Sequence, residues 1–250
     1  MLINASAAEP YSGLADDYHA LLGDLAEHTW RVGVLPEAAQ TRLPRSAVVV
    51  DLGAGTGIGG RLLATHLPSL TRIGVDRSPA MLALATNAYE RTLLAPLDAL
   101  PLGEESADLM LSGFDTLNYL PIPMLGRCLR EVWRCLRPGG WLIADLSSPH
   151  LLRRHWRDHS EVQEFRDGTV HWHHRYEPAM DRCVSVVERR DAADTPCWTE
   201  THIQYAVDAD RLQELAVAAG MRVERVRDLE REHYSPAAFT HVWTLRKEEG

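Results

Sequence analysis

The stretch that decides the fold is VVVDLGAGTGIGG, from Val48 to Gly60. The β-branched run at 47–50 is typical of a strand buried on both faces, and the glycines after it predict a tight turn into a helix. Such turns usually surround a phosphate with backbone N–H groups. Asp51 stands at the start of the turn, where its carboxylate would repel a phosphate. The turn therefore suits a ligand that carries positive charge, such as an amino group or a sulfonium.

Composition describes a globular chain rather than a nucleic-acid or membrane binder. The chain has 250 residues, of which 45% are hydrophobic and 24% charged, enough for one sizeable α/β domain or two small ones. Its formal net charge of −9 argues against general affinity for nucleic acid or anionic membranes. The four cysteines form no C-x-x-C pair, so we expect neither a disulfide framework nor structural zinc. We also expect no secretory signal and no membrane span, and hence a cytoplasmic protein.

Strands and helices alternate from residue 46 onward, after a helical stretch at 11–40. Strands are predicted at 47–50, 71–76, 92–100, 107–113 and 139–146, and helices at 61–67, 78–89 and 123–138. This alternation predicts an α/β fold with a doubly wound parallel sheet. Three polar–apolar alternating stretches between 162 and 206 then predict antiparallel strands that are half exposed to water. Helix and strand return at 208–228, and a last strand is predicted at 238–246.

Several motifs in register resemble the class I S-adenosylmethionine-dependent methyltransferases. They are VVVDLGAGTG, IGVDRSPAMLALA, LDALPLGEESADLMLSGFDTLNYL and LREVWRCLRPGGWLIADL. The resemblance implies a Rossmann-like, mostly parallel sheet of seven strands with an antiparallel β lid inserted after strand five. It also implies S-adenosylmethionine as the cofactor, with S-adenosylhomocysteine as its product, and no metal.

The same resemblance divides the chain into four parts. These are a helical cap at 1–45, a cofactor-binding core at 46–150, a β lid at 151–207 and a C-terminal part at 208–250 that completes the sheet. GFDTLNYL (113–120) and the lid are similar, more loosely, to small-molecule methyltransferases of bacterial secondary metabolism, including amino-sugar N-methyltransferases.

Cofactor-binding residues follow from the motifs. An acid about 20 residues after such glycines commonly binds ribose hydroxyls, which is the role expected of Asp76. A strand-end acid that only caps the next helix is the alternative. The other residues that the resemblance places at the cofactor are Tyr11, Asp51, Gly53, Ala54, Gly55, Gly57, Arg77, Asp98, Ala99 and Ser112.

Three residues are candidates for catalysis. Asp115 follows strand four and would steer an amine or hydroxyl, although it would equally cap the turn before Pro121. His150 follows strand five and would act as a base near neutral pH, the alternative being a half-exposed surface residue. Tyr18 would reach in from the N-terminal helix, and core packing explains it almost as well.

Missing motifs narrow the acceptor to a small molecule. No Asn/Asp-Pro-Pro-aromatic sequence follows strand four, and Pro196-Cys197 lies far from the place of a cytosine-methylating nucleophile. Asp145 is followed by Leu146, so the magnesium pattern of catechol methyltransferases is not met. The expected reaction is methyl transfer to a nitrogen, carbon or oxygen of a small aromatic or amine metabolite by a monomer or homodimer, with no nucleic-acid or membrane partner.

Two other hypotheses remain open at this point. A methyltransferase-like protein would bind the cofactor without methyl transfer, as a cyclase or a regulatory module. A nicotinamide oxidoreductase would use the same glycines, since 55–60 also satisfies G-x-G-x-x-G. Asp51 and Asp98 argue against the oxidoreductase.

Overall fold

The central feature of the computed structural model, which describes residues 11–248, is a seven-stranded sheet. In chain order the strands of the protein are β1 (Val48–Leu52), β2 (Thr71–Asp76), β3 (Arg91–Leu94), β4 (Ala107–Ser112), β5 (Leu136–Ser147), β6 (Ser160–Phe165), β7 (Gly168–Glu177), β8 (Arg182–Arg190), β9 (Pro196–Tyr205), β10 (Met221–Asp228) and β11 (Thr240–Lys247). The order across the large sheet is β10-β11-β5-β4-β1-β2-β3. Strand β11 runs antiparallel to β10 and β5, and the other neighbouring strands are parallel. The doubly wound, mostly parallel sheet predicted from the sequence is therefore confirmed.

Helices cover both faces of this sheet. They are α1 (Tyr18–Thr29), α2 (Leu35–Gln40), α3 (Ile58–His66), α4 (Pro79–Leu84), α5 (Ile122–Cys135) and α6 (Ala209–Ala218), with a π-helical turn between α1 and α2. Among residues 11–248 no helix has the length and apolar character needed to cross a bilayer.

Helix α4 begins as predicted and ends earlier than predicted. The Ser78 hydroxyl caps it by accepting from the Met81 N–H at 3.3 Å. The sequence predicted helix up to residue 89, but Asn87 adopts the left-handed conformation with φ 73°. This turn brings Tyr89 under the glycine-rich turn, where its hydroxyl meets Asp51.

Alternation along the strands builds two apolar layers, one on each face of the large sheet. Val49 and Leu109 face the layer that contains α3, whereas Val50 and Met110 face the layer that contains α5. The chain leaves β1 for β2 on one side and later returns to β4 on the other. Ligands in open α/β sheets bind beyond the strand carboxyl ends at such a switch point.

A second, antiparallel sheet follows β5, as the predicted lid requires. Its order is β6-β7-β8-β9. Three of these strands were predicted and β6 was not. Most β6 side chains are exposed, including Val162 at 59%, so no alternation of buried and exposed residues reveals this strand in the sequence.

Candidate functional site

The glycine-rich turn leaves open space on one side of its backbone. Gly53, Gly55 and Gly57 have φ values of 78°, 52° and 88°, which L side chains rarely adopt. A Cβ on Gly53 would lie 2.3 Å from Thr116 Cγ2, so that glycine is required by packing. A Cβ on Gly55 would meet nothing closer than 3.8 Å, and a ligand therefore has room to approach the backbone there.

Asp51 is a buried acid beneath this turn. It is 1% exposed, and its Oδ2 accepts a hydrogen bond from the Tyr89 hydroxyl. Its Oδ1 is buried and has no hydrogen-bond partner among residues 11–248. Burial raises the pKa of Asp51 to about 7, against the Tyr89 hydrogen bond and with help from the charge of Asp76. A nearby cation would relieve the cost of ionising this carboxyl.

Asp76 lies at the carboxyl end of β2, beside the same turn. Its Oδ2 accepts from the Gly55 N–H and its Oδ1 from the Ser78 N–H, both at 2.8 Å. Burial raises the pKa of Asp76, and these backbone hydrogen bonds oppose the shift. Each carboxylate oxygen keeps a further lone pair, so the side chain has acceptors left for two hydroxyl donors of a ligand.

Two tyrosines lie over this edge of the sheet: Tyr11, which precedes α1, and Tyr18, the first residue of α1. The Tyr11 and Tyr18 rings meet edge to face, with centroids 6.0 Å apart. Burial raises the pKa of both hydroxyls well above 10, and the charges of Asp76 and Asp115 act on both in the same direction. The two hydroxyls therefore stay protonated close to both acids.

The remaining expected cofactor residues differ in their surroundings. Ser112 is buried, and its hydroxyl has no partner in the described part of the chain. Arg77 and Ala99 are exposed. Strand β3 ends at Leu94, earlier than predicted, and Asp98 lies in the turn beyond it with its carboxylate 2.9 Å from Arg127. Their roles at the cofactor stay predictions.

A cavity of about 1090 Å³ lies between the lid, α1 and the segment that joins β10 to β11. Much of its wall is apolar: Leu21, Leu22 and Leu25 of α1, Leu151, Trp156 and Trp172 of the lid, Phe239 of the joining segment, and Phe114 after β4. Its volume is comparable with that of pockets that bind small organic molecules.

Two acids, Asp115 and Asp145, form the polar end of the cavity. Oδ2 of Asp145 accepts from the Asp115 backbone N–H at 3.0 Å, and Asp115 Oδ2 accepts from the Ser147 hydroxyl at 2.8 Å. Oδ1 of Asp145 is buried without a partner among the described residues. Burial raises the pKa of Asp115 to about 6 and that of Asp145 to about 7, the charge of Asp115 adding to the second shift.

A chain of polar contacts joins this end of the cavity to β9. The Tyr11 hydroxyl donates to the Tyr119 hydroxyl at 2.7 Å, which lies 3.2 Å from His202 Nδ1. His202 Nε2 lies 3.2 Å from Glu200 Oε2. Glu200 also accepts hydrogen bonds from the backbone N–H groups of Tyr11, Gly13 and Leu14. These hydrogen bonds hold the N-terminal segment, residues 11–17, against the lid.

Sequence reasoning missed Glu200, His202 and Gln204. They occupy alternate positions of β9 and are 2%, 5% and 4% exposed. Alternation in a strand places them on one face, and buried polar side chains on one face are uncommon without a function or a partner. The pattern E-x-H-x-Q was therefore the available signal.

Of the three catalytic candidates, Asp115 alone lines the cavity as described for residues 11–248. His150 instead contacts His155, with 3.2 Å between their Nε2 atoms, and stacks on Phe239. Tyr18 is buried against Met81 and the neighbouring cap residues. Within residues 11–248 no cluster of three or more His, Cys, Asp or Glu side chains is arranged to hold a metal ion.

Comparison with known proteins gives a family description for the core. A methyltransferase domain family matches residues 49–140. A release factor glutamine methyltransferase from Geobacter sulfurreducens is 30% identical over 45% of this chain and 50% of its own length. A demethylmenaquinone methyltransferase from Roseiflexus castenholzii is 30% identical over 58% of this chain and 63% of its own. The chain thus spans less than two thirds of these relatives.

Solved structures match over nearly the whole chain. An S-adenosylmethionine-dependent methyltransferase from Clostridium acetobutylicum, 18% identical, has a TM-score of 0.81 over 95% of this chain and 99% of its own. The sugar N-methyltransferase KedS8 from Streptoalloteichus, 22% identical, has a TM-score of 0.70 over 100% and 99%. Residues 49–140 thus match a methyltransferase domain family, and the chain has the Rossmann-like fold seen in solved S-adenosylmethionine-dependent methyltransferases, as its motifs predict.

Proposed function

We propose that this protein transfers a methyl group from S-adenosylmethionine to an amine nitrogen of a small molecule. The observation that carries the proposal is the pair Asp115 and Asp145 at the polar end of the cavity. Two buried carboxyls with raised pKa values, one with an unpartnered oxygen, are costly unless a cation joins them. A protonated amine supplies that charge and up to three N–H donors.

The residues around the glycine-rich turn fit the cofactor. The open side of Gly55 gives room against the backbone, and the Asp76 carboxylate offers acceptors for the ribose hydroxyls. Asp51 and Ser112 each hold a buried polar atom without a partner in the described chain. When bound, the cofactor supplies a methyl group on a positively charged sulfur. Gly53, Ala54, Gly57, Arg77, Asp98 and Ala99 complete the proposed cofactor site.

The acids at the cavity would first bind the acceptor and then remove its proton. An ammonium has no free lone pair, so the nitrogen becomes a nucleophile only after it loses a proton. A carboxylate whose pKa is about 6 or 7 accepts that proton far more readily than an ordinary aspartate, whose pKa is near 4. The proton passes from nitrogen to a carboxylate oxygen, and the electron pair of the broken N–H bond stays on nitrogen, where it is available to form the new bond to the methyl carbon.

Tyr119 and His202 would orient the acceptor rather than react with it. The Tyr11 hydroxyl donates to Tyr119, and Tyr119 lies beside His202, so each polar hydrogen has a defined direction. Such fixed groups favour one acceptor geometry, and methyl transfer depends strongly on alignment of the reacting atoms. The lid and the N-terminal segment would exclude water from this space.

Likeness to the sugar N-methyltransferase KedS8 supports the choice of nitrogen. The net charge of −9 supports a small-molecule acceptor rather than nucleic acid, and so does a cavity whose volume is that of a small-molecule pocket. We retain a monomer or homodimer in the cytoplasm as part of this proposal.

A methyl-transfer assay with matched acceptors tests the proposal. Each pair consists of an amine and the alcohol of the same carbon skeleton, incubated with methyl-labelled S-adenosylmethionine and analysed by mass spectrometry. We expect label on the amines alone. Label on the alcohols alone would refute the nitrogen assignment, and cofactor bound but intact with every acceptor would favour the cyclase or regulatory alternative.

Variants of the acid pair connect that activity to the site. D115N and D145N should raise KM for the amine roughly 10- to 100-fold, since a hydrogen bond to a charged group contributes about 1.5–3 kcal/mol. D158N is the matched control, because Asp158 is an exposed acid of the lid segment whose side chain is 74% accessible. Equal KM values in D115N, D145N and D158N would show that Asp115 and Asp145 do not bind the acceptor.

A further inference from the structure

We infer that the acceptor carries its amine on a large apolar body and has no phosphate or other anionic group. This inference rests on the proposed function and adds a substrate class to it. It also gives the methylation a place in a reaction sequence, after the step that joins the amine-bearing unit to its apolar partner.

The charge of the cavity wall is the first observation. Five acids within residues 11–248 line it: Asp115, Asp145, Glu161, Asp228 and Glu230. Arg231 is the one arginine or lysine among the described lining residues. The lining histidine His28 is held 2.6 Å from Glu230, and burial lowers the pKa of the lining His174 to about 4, so that ring is neutral near pH 7.

Phosphate recognition needs the opposite arrangement. Proteins bind phosphate groups with arginine forks, lysines, or backbone N–H groups at helix N-termini. A nucleoside-diphosphate-linked amine would bring its negative charges to a wall that already carries these five acids, of which Glu161 and Glu230 are exposed. Repulsion between like charges weakens such binding and slows association. An acceptor without phosphate meets no such barrier, and a cationic one is attracted.

The size and apolar wall of the cavity are the second observation. Its volume of about 1090 Å³ lies just above the usual range of ligand pockets, which is about 300–1,000 Å³. A single sugar ring or short amine would leave most of this space to water. Trp156 and Trp172 of the lid and Leu25 of α1 face the space from different sides. Burial of an apolar body against them would supply most of the binding free energy.

The reaction that supplies such an acceptor follows from its chemistry. When an amino sugar activated as a glycosyl diphosphate is joined to another molecule, the bond between its anomeric carbon and the phosphate oxygen breaks, the glycosidic bond forms and the diphosphate leaves. The joined product has the properties that the cavity favours: an amine, an apolar body and no phosphate. Methylation by this protein would therefore follow the joining reaction rather than precede it.

A series of probes that share one amino sugar tests the inference. The probes are the free amino sugar, its thymidine diphosphate derivative and its glycoside with an apolar aryl group. Binding is measured by calorimetry in the presence of S-adenosylhomocysteine, and turnover by product formation. We expect the aryl glycoside to bind at least about tenfold tighter than the free sugar, and the nucleotide-linked form to bind weakest.

Each outcome of the binding series decides the inference without depending on turnover. Tight binding of the thymidine diphosphate derivative, or failure of the aryl glycoside to bind better than the free sugar, would overturn it. If the aryl glycoside binds best and none of the three is methylated, the substrate class stands and the proposed transfer to nitrogen is what fails.

Substitutions identify where the preference arises. W172L should lower the affinity for the aryl glycoside while the free sugar is unaffected, because only the former reaches the apolar wall. W133L is the matched control, since Trp133 lies in α5, is 41% exposed and does not line the cavity. E230R should improve binding of the nucleotide-linked form, with D194R, an exposed acid outside the lining, as its control. Equal effects of target and control variants would contradict the assignment.

Discussion

Asp145 accepts a hydrogen bond from the backbone N–H of Asp115 at 3.0 Å, and this contact joins the carboxyl ends of β4 and β5. Asp115 reaches it because its backbone is left-handed, with φ 51°. The two carboxyls consequently share one wall of the cavity, and the charge of Asp115 raises the pKa of Asp145 further after burial has done so. Near neutral pH the pair is partly protonated until a cation reaches it.

This relationship predicts a pH-dependent stability. A carboxyl with a raised pKa in the folded state stabilises the fold at low pH, and the contribution is lost as pH rises through that value. The pKa of Asp145 rises from 3.8 to about 7, which corresponds to a loss of up to about 4 kcal/mol at about 1.4 kcal/mol per unit. We therefore expect the unfolding temperature of the ligand-free protein to fall between about pH 4 and pH 7.

The variant D145N isolates this contribution. It lacks the ionisable group, so its unfolding temperature should fall less over that range and should exceed the wild-type value at about pH 8. Part of the fall should persist, because the pKa of Asp51 is also raised to about 7 by burial. D194N, in an exposed turn, should follow the wild type. A variant curve parallel to the wild-type curve in calorimetric scans would contradict the raised pKa.

Local sequence patterns were sufficient to predict the fold of the β1–α3–β2 unit that carries the proposed cofactor residues. A buried strand, a glycine-rich turn and an acid at the end of the next strand all lie within one βαβ unit, where spacing fixes geometry. The acceptor half depends on contacts between distant segments. Asp145 of β5 accepts a hydrogen bond from Asp115, which follows β4. Glu200 of β9 accepts one from Leu14, which lies far away along the chain. Periodicity within one strand does not reveal which distant residue faces it.

The same distinction explains why the surroundings of His150 and Asp98 differ from those expected, while their functional roles stay predictions. His150 was placed by its position after β5, yet the chain continues into a helical turn that directs it to His155 and Phe239. Asp98 was expected at a strand end, whereas β3 ends at Leu94. Strand ends and the direction of the following turn are set by tertiary packing, which a single sequence shows poorly.

Asp76 is expected to determine cofactor affinity. D76A removes a carboxylate positioned to accept two ribose hydroxyls, and we expect affinity for S-adenosylhomocysteine to fall by roughly 1–3 kcal/mol. Titration calorimetry measures the change. Because Asp76 also accepts from the Gly55 and Ser78 N–H groups, thermal unfolding and circular dichroism must show that the variant is folded. A folded D76A with wild-type affinity would exclude the ribose assignment.

Two glycines of the turn should respond differently to alanine. G53A places a Cβ 2.3 Å from Thr116 and should destabilise the fold. G55A meets no clash and should cost only the left-handed backbone strain, about 1–2 kcal/mol. Its methyl group would nevertheless occupy the open space proposed for the cofactor.

Chemical denaturation and S-adenosylhomocysteine titration separate these effects. We expect G55A to be folded and to bind the ligand at least about tenfold more weakly, since a methyl group that blocks close approach removes about 1.4 kcal/mol or more. For G53A we expect the main effect to be a lower free energy of unfolding in chemical denaturation. Wild-type affinity in G55A would place the cofactor away from this glycine.

Glu200 is expected to hold the N-terminal segment over the site. Burial alone would raise its pKa, but His202 and the N–H groups of Leu14, Gly13 and Tyr11 lower it, so the carboxylate stays charged. E200A leaves those N–H groups without their acceptor, and local opening of the segment should become easier.

Hydrogen exchange at Gly13 and Leu14 should accelerate at least about tenfold in E200A, equivalent to about 1.4 kcal/mol. E188A is the control, because Glu188 lies on β8, the strand next to β9, and pairs there with Arg190 of the same strand. Unchanged exchange in E200A would mean that apolar packing of Leu14 holds the segment without this carboxylate.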